Sequence, residues 1–297
     1  MQSVARVTNG TNTNRHGEQV AVDIRAQQRP VGELLREWRE SRRLSQLEFS
    51  LEARVSSRHL SFIETGRSHP SREMILHLAE HLDVPLRERN YLLLAAGYAP
   101  VYAETPMDAP QMAAVRAAVR QILAGHDPYP ALVVDRFWNL VDANASLAIF
   151  TEGAAQDVLA PVANCMRIAL HPQGLAQRVI NLGEWRAHLL GRLRRQIART
   201  GDPALAALYE ELVVYPCDQP EPEVDLPGPG EICAPLRIRY GSQELAFFST
   251  VATFGTALDI TAAELSIESF YPANAETADV LRSRQMQPDA TGVRYPV

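Results

Sequence analysis

The sequence predicts an α+β protein in two parts, an all-α domain of five short helices followed by an α+β domain with an antiparallel sheet. Three observations predict it. Between residues 32 and 97 apolar side chains recur at helical spacing, punctuated by Ser, Gly and Pro where helices start and stop. Around 131–141 and over 235–271 the pattern shifts to short runs rich in Val, Ile, Phe and Tyr, as strands require. Proline-rich breaks at 98–110 and 126–130 separate the two regimes. With 297 residues the chain has room for two domains and their connections.

The expected organisation is a tail over 1–29, a helical domain over 30–97, a linker with a connecting helix over 98–128, the α+β domain over 129–284, and a second tail over 285–297. The first tail is rich in Asn, Thr, Gln and Gly, lacks a hydrophobic period, and is expected to be mobile. Hydrophobic residues at 46% and charged residues at 22% are ordinary for a soluble globular protein. No run approaches a membrane span and the polar N-terminus lacks the apolar core of a signal peptide, so a cytoplasmic protein without a membrane partner is expected. Cys165, Cys217 and Cys233 form no CxxC pair and read as reduced thiols; no metal and no cofactor is expected. The net charge of −6 is unevenly spread: residues 1–29 carry +2, residues 30–97 are neutral, and the remainder carries −8. The acidity therefore belongs to the C-terminal part and does not bar a small N-terminal domain from a polyanion. All 29 basic residues are arginine, which reads as a composition bias.

The first helix is expected over Gly32–Arg43, with Leu34, Leu35 and Trp38 on its apolar side. Ser45 followed by Glu48 is a capping box opening a second helix, Gln46–Ala53. Arg54-Val55-Ser56 makes a turn, and Ser56 can cap a third helix, Ser57–Thr65, which Gly66 ends. After a loop over 67–71, a fourth helix carries Met74, Ile75, Leu78, Ala79 and Leu82, and a fifth runs over Leu86–Ala96 to Gly97. Leu35, Trp38, Leu47, Phe49, Leu60, Ile63, Ile75, Leu78 and Leu82 are expected to share one core. Two short helices joined by a three-residue turn and packed between longer ones are the helix-turn-helix arrangement that docks in DNA.

Further on, Gln111–Ala124 is expected to be a helix with Met112, Val115, Val119, Ile122 and Leu123 on one face. Ala131–Val134 and Trp138–Val141 read as strands around the turn Asp135-Arg136. Long helices are expected over Leu175–Arg199 and Pro203–Tyr215. A proline-rich loop, Pro216–Pro229, then leads to strands over Pro235–Tyr240, Glu244–Phe254 and Glu264–Tyr271.

Leu44-Ser45-Gln46, Phe49-Ser50, Val55-Ser56, Leu60-Ser61, Glu64, Gly66 and Pro70 together resemble the lambda-repressor/Cro-type, or XRE, helix-turn-helix regulators. Two positions depart from that pattern, Ser50 where the family has Ala and Arg54 where it has Gly. If the turn still needs positive φ, Arg54 bears a cost of about 1 kcal/mol. A helical wheel turns Leu60 and Ile63 of the third helix inward and Arg58 and Phe62 outward, flanked by His59 and Ser61. Arg58 can grip guanine O6 and N7, Phe62 can touch thymine methyls, and Ser56 and Ser57 stand at the helix start, where base edges are reached. The plainer alternative is a solvated helix face. The resemblance implies that Gln46 positions a phosphate and that Arg39 partners the inward Glu64. Arg43, Arg54, Arg67 and Arg72 surround this edge as candidates for neutralising phosphates. His77 and His81 are spaced i, i+4 but lack a third ligand, so they read as a solvent-facing pair.

In the second part, the run from Pro130 to Asn144 resembles the opening hairpin of a PAS-like sensor, and the last three strands fit its antiparallel meander. With Asn164, Arg167, His171-Pro172, Glu184-Trp185 and Phe247-Phe248-Ser249-Thr250, the chain resembles the MmyB-like regulators. In these a Cro-type helix-turn-helix precedes a PAS-like domain held to accept fatty acids. The resemblance implies a homodimer on a double-stranded operator and a pocket drawing on Trp138, Trp185, Phe247, Val251 and Phe254, with Arg167 or His171 facing a fatty-acid carboxylate. A solid core is the alternative reading of the same apolar residues. Two further functions stay open at this point. Ser249 or Cys165 with His171 would be the parts of a nucleophile–base pair, although no nucleophile elbow accompanies them. An antitoxin-like adaptor would instead use the acidic domain to bind a protein. An apolar cavity favours the sensor, and an exposed apolar patch without one favours the adaptor.

Overall fold

The computed structural model describes residues 29–220, Pro222 and 235–285. The two expected tails lie almost wholly outside the described residues, as do most of the proline-rich loop and Cys233. The chain divides near Glu104 into two compact units. No helix among the described residues is long and apolar enough to cross a membrane.

The first unit holds five helices: α1 (Val31–Ser41), α2 (Gln46–Glu52), α3 (Ser57–Glu64), α4 (Arg72–His81) and α5 (Leu86–Ala95). Each of α2, α3 and α4 starts on a serine, Ser45, Ser56 or Ser71, whose hydroxyl accepts from a backbone N–H of the first turn. At Ser45 the Glu48 carboxylate returns the bond to the cap's own N–H at 2.8 Å, completing the expected capping box. Leu35, Phe49, Leu60, Ile63, Ile75, Leu78 and Leu82 are buried in one core with Leu92 and Leu93. Gly32 lets α1 close on the end of α3, because a Cβ there would lie 2.1 Å from the Ile63 carbonyl oxygen. One core assignment needs correction. Leu47 is 61% exposed; it sits about 200° around the helix from Phe49, so the two cannot share a face of so short an element. Trp38 packs against this core from its rim, half-buried, with Arg42 over its ring at 5.5 Å. Residues just after α5 fold back onto this unit: the Asn90 side chain accepts from the N–H groups of Val101 and Tyr102 and donates to the Tyr102 carbonyl.

The second unit opens with a 3-10 turn (Pro110–Met112) and α6 (Ala113–Gly125). Its five-stranded sheet has the order β2-β1-β5-β4-β3, from β1 (Ala131–Val134), β2 (Leu140–Ala143), β3 (Leu236–Tyr240), β4 (Gln243–Thr253) and β5 (Ser266–Pro272). Every pairing is antiparallel, and β1 joins the hairpin to the meander by pairing with β5. Because β1 is covered on both sides, its run of four apolar residues is buried throughout. Ala131 and Val133 face α6 with Val119, Leu123 and Ile267. Leu132 and Val134 face the larger core, to which α7 (Ala148–Thr151), α9 (Cys165–Leu170), α10 (Leu182–Thr200) and α11 (Pro203–Val213) contribute; a short α8 (Gln156–Leu159) lies between α7 and α9 in the chain. A short helix, α12 (Ile260–Glu264), precedes β5, and α13 (Ala275–Gln285) follows it.

Several element boundaries depart from the sequence reading. The second strand begins at Leu140 rather than Trp138, since the Asp135 carboxylate captures the N–H groups of Phe137 and Asn139 at 2.8 and 2.9 Å. That turn leaves Trp138 at φ 69°. The expected helix Leu175–Arg199 splits into a 3-10 turn (Leu175–Arg178) and α10, because the residues between them are drawn to the sheet edge. Val179 bridges Ile238, the Ile180 N–H donates to the Arg237 carbonyl, and the Asn181 side chain accepts from the Arg237 N–H. The helix expected over Pro203–Tyr215 stops at Val213, where the Arg186 guanidinium gathers the carbonyls of Leu212, Val213 and Tyr215. Ile122, expected inward on α6, is 42% exposed; the buried stripe on α6 is only Val119 and Leu123 wide.

Candidate nucleic-acid interface and ligand cavity

The candidate interface is built on α2, the turn and α3. The turn keeps its left-handed residue, with Arg54 at φ 52°, so an arginine occupies the backbone conformation that glycine adopts most cheaply. Ser50 is buried, and its hydroxyl donates to the Leu47 carbonyl at 2.8 Å, which lets a serine stand where two helices approach closely. Leu60 and Ile63 anchor α3 from within at 0% and 1% exposure. Ser56, Ser57 and Arg58 are exposed, while His59, Ser61 and Phe62 are half-buried. The Arg58 guanidinium lies 5.3 Å over the Phe62 ring, so the two outward residues form a stacked pair. Arg43, Arg54, Arg67 and Arg72 are exposed.

Behind this face lies a buried network. Arg39 grips Glu64 with two parallel bonds of 2.7 and 3.0 Å, with side chains only 7% and 1% exposed. Arg39 also donates to the Leu44 carbonyl, just ahead of α2. The Gln46 amide donates to Glu64 at 2.8 Å, so one of its N–H groups is spent inside the domain and the side chain is held in a fixed orientation. The network thereby fixes α1, the start of α2 and the end of α3 against one another. His77 and His81 are exposed, with rings 4.7 Å apart. His77 bonds the Ala53 carbonyl, and no group of three metal-ligating side chains exists among the described residues.

In the second unit an apolar pocket of about 60 Å³ opens between the sheet and its helices. Leu132, Leu140, Leu236 and Phe270 line it from the strands. Leu147, Phe150, Thr151, Cys165, Ile168 and Trp185 are among those lining it from the helices. Burial, then the nearby Glu268 and Asp135, push the Cys165 thiol well above its ordinary range, so it stays protonated.

Of the residues expected to form a pocket, Trp185 alone lines this one. Trp138 is buried beside it in the core, donating to Gln196 at 2.9 Å under the Arg192 guanidinium at 4.4 Å. Phe247 is fully buried, in edge contact with Phe150. Val251 is 44% exposed, and Phe254 packs with the α6 cluster on the opposite face of the sheet. Arg167 is held by Glu211 at 2.6 and 2.7 Å, which lowers the Glu211 pKa chiefly through those hydrogen bonds. His171 packs against Tyr215, and its Nδ1 accepts from the Gln173 N–H. Ser249 donates to Glu268 at 2.9 Å, so Ser249 and His171 are each engaged with other partners, and the Cys165 thiol stays protonated. Sequence reasoning missed the lining residues of α7 and α9; their apolar spacing was the available signal, in helices too short to show a full period.

Residues 35–89 match a family model described as helix-turn-helix. Residues 115–283 match one described as the MmyB-like transcription regulator ligand binding domain. No curated protein matches the chain. These are the domains of a DNA-binding transcription regulator with a small-molecule ligand, not those of an enzyme.

Proposed function

The chain belongs to the MmyB-like transcription regulators, and from that premise we propose that it binds a two-fold symmetric operator as a homodimer and responds there to a small apolar molecule, a fatty acid. The observation that carries the DNA half is the asymmetry of α3. Its inner residues are locked in the core, while Ser57 and Arg58 stand exposed at the start of the helix, the end that enters a major groove. In a dimer of this kind the two α3 helices lie about 34 Å apart, one turn of the duplex. The apolar pocket supports the sensor half over the adaptor, and the antiparallel sheet with helices on its faces suits the PAS-like reading. A fatty acid suits the pocket because each methylene buried there contributes roughly 0.8 kcal/mol. At about 60 Å³ the pocket takes only part of a long chain, so the neighbouring side chains have to give way for the rest.

Binding-site selection from random duplexes, followed by titration at several salt concentrations, tests the DNA half. An enriched palindromic motif is expected. Arg58→Ala should relax base preference at one position of each half-site, a loss of about 1–3 kcal/mol of discrimination. Arg43→Ala or Arg67→Ala should weaken all sequences alike and reduce the salt dependence by about one phosphate contact. A selection that returns no motif refutes the operator.

A further inference from the structure

We propose that the pocket holds its ligand by an uncharged oxygen, a carbonyl or un-ionised carboxyl on an alkyl chain, which accepts a hydrogen bond from the indole N–H of Trp185. This rests on the sensor reading and specifies the polar end of the molecule sensed. Trp185 lines the pocket at 5% exposure, and its Nε1 is buried with no hydrogen-bond partner. Among the described residues one other buried side-chain nitrogen or oxygen shares that state, Arg178 Nε, and Arg178 does not line the pocket. The contrast with Trp138 is direct: that indole N–H is also buried in this core and donates to Gln196 at 2.9 Å. An indole N–H can only donate, and buried donors in folded proteins almost always have acceptors. An orphaned donor on a side chain that lines a pocket therefore points to an acceptor that arrives with the ligand.

The wall also decides the charge of that acceptor. No lining residue is charged at neutral pH, and the Cys165 thiol stays protonated. Arg167 is committed to Glu211 at 2.6 Å and Arg192 to Glu268 at 3.3 Å, and Arg178, whose buried Nε has no partner, does not line the pocket. A carboxylate in this pocket would be a buried charge without a counter-ion, whereas a neutral carbonyl needs one donor and finds it.

The test uses the full chain, labelled with nitrogen-15, and three probes of equal chain length: hexane, methyl butyl ketone and hexanoate. The Trp185 indole signal is identified by its absence in Trp185→Phe. Methyl butyl ketone should move that signal downfield, and hexane should bind without doing so. Trp185→Phe should weaken the ketone at least about fivefold relative to its effect on hexane, since the variant keeps an aromatic six-membered ring and loses the donor. Hexanoate should gain about tenfold in affinity for each pH unit lowered while it is ionised in solution, with ketone affinity unchanged over the same range. A ketone-saturated wild type in which none of the three indole signals moves overturns the assignment and leaves the sensor pocket standing, whether or not the variant folds. Hexanoate affinity that does not change with pH overturns the neutral end group. If none of the three binds, the sensor pocket falls and this assignment with it.

Discussion

Glu64 has a carboxylate only 1% exposed, and it is tolerable there because Arg39 takes both its oxygens and Gln46 donates to one of them. Arg39→Ala leaves that charge with a single neutral donor. Chemical denaturation should report a loss of about 3 kcal/mol or more, comparable with removing one side of a buried ion pair. A loss under 1 kcal/mol would mean that water reaches Glu64 in solution. This pair was legible in the sequence because one helical wheel turned a charged residue inward and the family pattern supplied its partner. The part played by Gln46 was not: its bond to Glu64 crosses between helices, and no periodicity records where an amide turns. Leu47 shows the opposite failure, an apolar residue assigned to the core by type alone although its angle from Phe49 already placed it outward.

At the scale of the element, the sequence was most informative where caps and turns are made locally. Ser45, Ser56 and Gly66 act where they were expected, since each needs only its own few neighbours. Arg54 is the exception with a measurable consequence. Its φ of 52° is forced by the turn, so Arg54→Gly should raise stability by up to about 1 kcal/mol. The same change removes an exposed cation beside α3, and operator binding should weaken while the fold strengthens. Thermal unfolding read alongside operator affinity checks both signs; a variant less stable than wild type would show that the arginine makes contacts worth more than its strain. Elements set by distant partners were less legible. The break between Arg178 and Leu182 exists because β3, more than fifty residues later, pairs with it. The turn at Trp138 likewise depends on an aspartate side chain outcompeting strand pairing for backbone N–H groups.

At the scale of the molecule, the division into a helical unit and an α+β unit was readable because hydrophobic period changes from one to the other. The pocket was not, because it arises where short helices and non-adjacent strands meet, and a lining phenylalanine such as Phe150 looks in sequence like any core residue. The remaining question is whether the two units act on one another. Occupancy of the pocket can change operator affinity only if the ligand binds two arrangements of the protein unequally. The helix α6 is the natural element to carry this, since it follows the first unit in the chain and packs through Val119 and Leu123 on β1, the strand that also lines the pocket through Leu132. Mass spectrometry of lipid extracted from purified protein should find an apolar molecule, and titrating candidate fatty acids during operator binding should change affinity by about 5–150-fold, the usual span of allosteric coupling. Linkage requires the reciprocal effect, so saturating operator DNA must change fatty-acid affinity by the same factor and in the same direction. Bound lipid with unchanged operator affinity would leave a pocket without a switch. Unequal factors in the two directions would show that one of the two titrations had not reached equilibrium, since the coupling free energy is a single quantity.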